Sequence, residues 1–494
     1  MNQKIILSAV LVIVLIVGIY LGSNVIKEDI KIRDIKINLT ELKMDNENLK
    51  IYTQDDFYKF LSDYKNKKLP AVYVTEFIFD GVDMYRPYDI DDYIKNGNSY
   101  KTKVLSIKAI NINTPGNIEF TGEFTGTILV NTNKLKGDIN LILSGVIIDT
   151  DTKKAPAIYV YNKDINYTKH KVTIKTTEGT ENYIEGGKLK KISLMNKGDL
   201  KGCFADKSSE WYTTYNNYYG LYTSNELKKV LFAKVKADAE DIAEKNPCSF
   251  YKAAGAISSD IDLYFEGKGY LKVTSKNGEG IESKGNLELI GGQGDYEINP
   301  MNDGLNTTTY EGRNDIVIDV NTLKTIVSLD GKEGDGIDSN GSLIINGGNI
   351  TAIAFKEQDS GIDSNMGIYI NGGNVFATGI MYDAILPRSK QKFIAVSFID
   401  RVKPDEKITF KDPDDNIIFE YTTDRNFTTL IYSSDELEDG TYHLYKNDVL
   451  VGYYAKGIPI GPGNRSVTKN RVSEFNTDFE INGIDNLYSS LKES

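Results

Sequence analysis

Carboxylate and amide side chains recur in this chain at a fixed phase against glycine and isoleucine. Gly280-Ile281-Glu282-Ser283, Gly336-Ile337-Asp338-Ser339 and Gly361-Ile362-Asp363-Ser364 share one pattern, and Asp303-Gly304-Leu305-Asn306 is a degenerate copy. In register they give one column of Glu282, Asn306, Asp338 and Asp363. A second column, three positions earlier, holds Glu279, Asp303 and Asp335, then Ser360 next to Asp359, then Asp383. Stacked about 4.8 Å apart, neighbouring unit charges repel by roughly 3 kcal/mol at an effective dielectric of 20. No Lys or Arg occupies these columns, so the pattern predicts a hard cation held by oxygens. Calcium, with six to eight oxygen ligands in loose geometry, suits it better than magnesium, which demands a tight octahedron. Solvated turn formers are the alternative reading of the same Asp, Asn and Ser residues.

Composition removes other chemistries. The 494 residues carry 58 Lys+Arg against 70 Asp+Glu, a formal charge of −12. Nucleic-acid binding would need a dense basic face, so no nucleic-acid partner is expected. His170 and His443 are the only histidines, which rules out a histidine-rich zinc site and argues against a Ser-His-Asp triad. A lyase acting on uronic-acid polymers would need a base, for which Lys276, Lys284, Arg313, Lys332 and Lys356 lie near the columns in sequence. A binding protein needs flat aromatic faces: Trp211, Tyr212, Tyr215, Tyr218 and Tyr219 form one cluster, and Tyr369 is an outward aromatic on a regular repeat.

These residues must be positioned by short strands. After each Gly-Ile/Asp unit comes an alternating run ending in paired glycines, as in Leu287-Glu288-Leu289-Ile290-Gly291-Gly292 and Ile368-Tyr369-Ile370-Asn371-Gly372-Gly373. A period of about 25 residues, with several short strands per unit, predicts an all-β chain folded as a right-handed parallel β-helix. Alternation turns Ile281, Leu287, Leu289, Ile337, Leu343, Ile345, Ile362, Ile368 and Ile370 inward. The first turns occupy 101–195 and the Asp/Gly-rich turns 251–392. Between them, 196–250 reads as an insertion of one helix and an aromatic loop. Cys203 and Cys248 close its base as a disulfide, with two buried thiols as the alternative. A small antiparallel module is expected over 393–470 and a tail over 471–494. At the start, 5–22 is an uncharged apolar run within a 1–24 segment that predicts a transmembrane anchor or a signal, ahead of an N-terminal region over 25–100. An uncleaved anchor would give a single-pass protein of the cell membrane with an extracellular body; cleavage would give a secreted one.

The segments Leu141-Ile142-Leu143-Ser144-Gly145-Val146, Ala157-Ile158-Tyr159-Val160, Glu178-Gly179-Thr180-Glu181-Asn182-Tyr183 and Gly334-Asp335-Gly336-Ile337-Asp338-Ser339-Asn340 resemble the clostridial carbohydrate-binding domain-containing family. That family groups cell-surface right-handed β-helices similar in fold to family 9 polysaccharide lyases. The resemblance covers roughly residues 100 to 455. It implies calcium sites along the helix and binding of cellulose or pectic polymers. The family's acidic positions carry onto Glu282, Asp335, Asp338 and Asp363, whereas Asn306 and Leu386 depart from them. The expected function is calcium-stabilised polysaccharide binding without cleavage. A calcium-dependent pectate-type lyase is the first alternative, and a structural or protein-binding surface solenoid the second.

Overall fold

The computed structural model describes residues 34–80, most of 103–187 and of 255–450, and the strand Asp478–Ile481. The expected anchor at 5–22 lies outside the described residues, as does the insertion with Cys203, Cys248 and the cluster Trp211, Tyr212, Tyr215, Tyr218 and Tyr219. Among the described residues no helix is long and apolar enough to cross a membrane. The transmembrane helix, the membrane partner and the disulfide therefore find no support.

The one helix among the described residues is Phe57–Lys65, which buries Phe60 against Tyr52, Tyr73 and Phe77. Everything else regular is strand. The expected alternation holds residue by residue: Ile281, Leu287, Leu289, Ile337, Leu343, Ile345, Ile362, Ile368 and Ile370 are all fully buried. They form columns because parallel strands pair in register, Leu343↔Ile368 and Ile345↔Ile370 for example. A continuous core results, from Ile35 to Ile431.

How the strands close differs from the expected parallel β-helix, and this is the main correction. One ladder leaves Ile139–Asp149 through Val172–Thr176, Leu263–Gly267 and Leu287–Leu289 to reach Ile316–Ile326. A second leaves the same strand through Glu181–Gly186, Tyr270–Ser275 and Asp295–Asn299 and reaches Ile316–Ile326 as well. All these pairings are parallel, and together they close the hydrogen-bonded network into a barrel. The physical reason lies in the long strands: Ile139–Asp149 and Ile316–Ile326 each run on across both ladders and so join them at either end.

The crossing point is visible in Ile139–Asp149. Its register shifts between Leu143 and Val146, where Gly145 takes φ +77°. The amides of Gly145 and Val146 both donate to Asn182 Oδ1, at 3.0 and 3.2 Å, and Asn182 Nδ2 donates to the Tyr270 carbonyl at 3.0 Å. Asn182 is completely buried, so it supplies the acceptor that an interrupted ladder would otherwise deny to the buried Val146 amide and its neighbour at Gly145.

Beside the barrel lies a sheet of short strands, ordered from Ile362–Ser364 through Ile337–Ser339, Leu305–Thr307, Glu279–Ser283, Gly255–Ser259 and Ile158–Tyr161 towards Ile51–Tyr52. Strands after 392 pair antiparallel. Phe427–Ser433 lies against both Asn374–Gly379 and Phe393–Val402, and Lys407–Lys411 is flanked by Ile417–Thr422 and Gly440–Lys446. The module has its own aromatic core of Phe398, Phe410, Phe427 and Tyr442.

Candidate functional site, an acidic cluster on the short-strand sheet

The short-strand sheet sets Ile281, Leu305, Ile337 and Ile362 inward, so the residue after each points away from the core. Those residues are Glu282, Asn306, Asp338 and Asp363, paired in register as the repeat predicts. All four are buried, at 1 to 7% exposure. The preceding column starts with Glu279, Asp303 and Asp335, since Gly280 donates to the Asp303 carbonyl and Gly304 to that of Asp335.

Within this grid the charges fall into unlike environments. Glu282 has a local counter-ion: Lys284 Nζ lies 3.1 Å from Oε1, with both side chains nearly inaccessible, and Ser258 Oγ donates to Oε2 at 3.2 Å. Lys284, which stands outside the columns in sequence, thus reaches the first of them in the fold. Residues two apart on a strand share a face, so Lys284 beside Glu282 was the available signal. Glu279 Oε1 accepts from Asn302 Nδ2 at 3.2 Å.

One rung on, Asp303, Asp335 and Asp338 each present a carboxylate oxygen, and the three lie within 4.8 Å of one another. Asn306 ties the cluster together, its Nδ2 donating to Asp303 Oδ2 at 2.7 Å and Asp338 Oδ2 at 3.2 Å. Backbone amides of Asp335 and Ser360 donate to the carboxylates of Asp303 and Asp335 respectively. Burial, with the nearby charges of Asp363, Asp338 and Asp303, pushes the Asp335 carboxyl well above the usual range, against the Ser360 amide. Asn306 Oδ1 is buried and accepts no hydrogen bond.

Two expected ligands stand elsewhere. Asp359 Oδ2 accepts from the Gly334 amide at 3.0 Å, and burial raises its carboxyl to about 6. Asp383 does not continue the second column: a bridge between Ser360 and Met381 occupies that place, and Asp383 Oδ2 accepts from the Ser364 amide at 3.0 Å. A shortened connection after Gly379 shifts the register there.

Lysines suited to act as a base are scarce. Lys276 is held by Asp149 at 2.6 Å and Glu185 at 2.8 Å; burial lowers its pKa, but the two carboxylates outweigh this and raise it above the ordinary lysine value. Lys284 is ion-paired, and Lys356 Nζ lies 4.6 Å over the Phe355 ring. Arg313 and Lys332 lie outside the described residues. Tyr369 sits half-buried on the outward face of Ile368–Ile370, on a different sheet from the acidic cluster.

Residues 234–379 match the model of a family described as carbohydrate-binding domain-containing protein. No curated protein and no solved structure matches the chain.

Proposed function

We propose that this protein binds polysaccharide without cleaving it, and that calcium at the acidic cluster braces the fold that does so. The match of 234–379 to a carbohydrate-binding family carries the reading, because the acidic cluster and its supporting strands fall within that segment. Asp303, Asp335, Asp338 and the free Oδ1 of Asn306 form an all-oxygen donor set, the kind a hard divalent cation takes. Calcium there would neutralise three crowded carboxylates and tie neighbouring strands. Cellulose or pectin-like glycans are the proposed ligands, met outside the cell.

Lyase chemistry is the weaker account. Proton abstraction beside a uronate needs a desolvated neutral base, whereas two carboxylates raise the Lys276 pKa and Lys284 is ion-paired with Glu282. The test is retention of the full chain on insoluble cellulose, chitin and cross-linked pectin, with calcium and then with chelator, while ultraviolet absorbance follows unsaturated product. Retention without absorbance is expected. Absorbance growing with time would establish a lyase, and no retention on any glycan would sink the binding reading.

A further inference from the structure

The barrel face that carries Tyr369 is polar along its edges and apolar along its middle. Its outward positions pair in register as Glu288↔Val317, Val317↔Ile344 and Ile344↔Tyr369. A bridge between Ile368 and Ile385 sets Leu386 on the rung beyond Tyr369. Val317, Ile344, Tyr369 and Leu386 are half-buried and belong to none of the core clusters. An apolar residue on each successive rung is the opposite of what keeps an outward sheet face wet, and such a stripe marks a contact surface. From Val317 to Leu386 it runs three strand spacings, about 14 Å.

Both edges offer hydrogen-bonding groups already held in place. Asp315 Oδ1 accepts from the Ser342 amide at 2.7 Å on one side, and Asn371 Nδ2 donates to Asn346 Oδ1 at 2.9 Å on the other. One end is closed. Tyr264 pairs with Glu288, and Lys171 Nζ lies 3.8 Å over the Tyr264 ring and 3.7 Å from Glu266.

Resting on the polysaccharide-binding reading, we propose that this stripe is the contact track for an extended, uncharged glycan. Its sugar rings would lay their apolar C–H faces on Tyr369 and Ile344, and their hydroxyls would meet Asp315, Asn346 and Asn371. Charge selects the class of ligand. Glu288, Asp315 and Asp319 border the stripe, and a uronate polymer would bring carboxylates against carboxylates, whereas a neutral chain meets no such repulsion. The stripe up to Tyr369 lies inside the segment that matches the carbohydrate-binding family.

The test compares full-length wild type, Tyr369→Ala, Ile344→Asp and, as a control on the second ladder, Tyr183→Ala, which removes a ring 38% exposed. Depletion by insoluble cellulose and by cross-linked polygalacturonate is measured in calcium. Wild type and Tyr183→Ala are expected to bind cellulose alike, with Tyr369→Ala and Ile344→Asp about tenfold weaker. Cellulose binding unchanged in both stripe variants overturns the track and leaves the polysaccharide reading standing. Retention of wild type on polygalacturonate but not on cellulose overturns the uncharged ligand. No retention on either overturns track and reading together. Should a stripe variant fail to fold, hydroxyl-radical footprinting of wild type with a soluble cello-oligosaccharide decides: protection of Tyr369 and Leu386 supports the track, and unchanged labelling overturns it.

Discussion

The side chains of the acidic grid differ in what compensates them, and their substitutions should differ accordingly. Lys284 and Glu282 form a buried pair, so Lys284→Met should cost about 3 to 5 kcal/mol by leaving a buried carboxylate uncompensated. Lys284→Met with Glu282→Gln should recover most of it, measured by urea unfolding; no recovery would mean the lysine matters for packing alone. Asn306→Asp adds a carboxylate to Asp303, Asp335 and Asp338. Thermal unfolding should show this variant less stable than wild type in chelator and more stabilised by added calcium. Equal losses in both conditions would argue against a cation at the cluster. Asp359 is raised from 3.8 to about 6 when folded. A carboxyl raised on folding is protonated more readily in the native state, so its contribution is present below pH 4 and is lost as pH rises towards 6. In chelator, Asp359→Asn should remove part of that decline, and a variant with the wild-type slope would exclude Asp359 as its source.

At the scale of elements, Asn182 is the residue on which the closure turns. Asn182→Ala leaves the amides of Gly145 and Val146 without their acceptor; water can reach the exposed Gly145, so the cost of about 1 to 3 kcal/mol falls on the buried Val146 donor. Asn182→Asp keeps the acceptor and loses the bond to the Tyr270 carbonyl, so it should fall between wild type and Asn182→Ala in denaturant midpoint. The contrast also explains what the sequence made legible. Burial of Ile337, Leu343 and Ile345 follows from strict alternation, and the register of Asp338 with Asp363 follows from repeated Gly-Ile-Asp-Ser units. Closure did not follow, because Ser144-Gly145 reads as a turn, and only tertiary contact with Asn182 lets the strand continue to Asp149. Asp383 was misplaced for a related reason: the repeat loosens beyond Gly379, and Met381 takes the bridge to Ser360. The outward stripe was seen only at Tyr369, since Val317 and Ile344 sit at the same phase but lack a ring to attract notice.

For the whole molecule, the antiparallel module is a cover as much as an appendage. Phe427–Ser433 pairs with Asn374–Gly379 and so occupies an edge of the parallel network. Arg425 reinforces the seam, donating to the Val327 carbonyl at 2.7 Å while paired with Asp424. Ending the chain at residue 392 should therefore yield a protein that self-associates through the uncovered edge, read by light scattering, where a monodisperse monomer would contradict the covering role. At the other junction, Ile158–Tyr161 pairs directly with Gly255–Ser259, and a Cβ placed on Gly186 would lie 3.2 Å from the Ala256 Cα. Glu181–Gly186 belongs to the barrel and Gly255–Ser259 to the short-strand sheet, and the two ends of the described chain meet here with consecutive strands of that sheet already in register. Such a doorstep is a natural grafting point: an unrelated module spliced there would inherit an intact scaffold, and swapping modules would change what the molecule carries without rewriting the core.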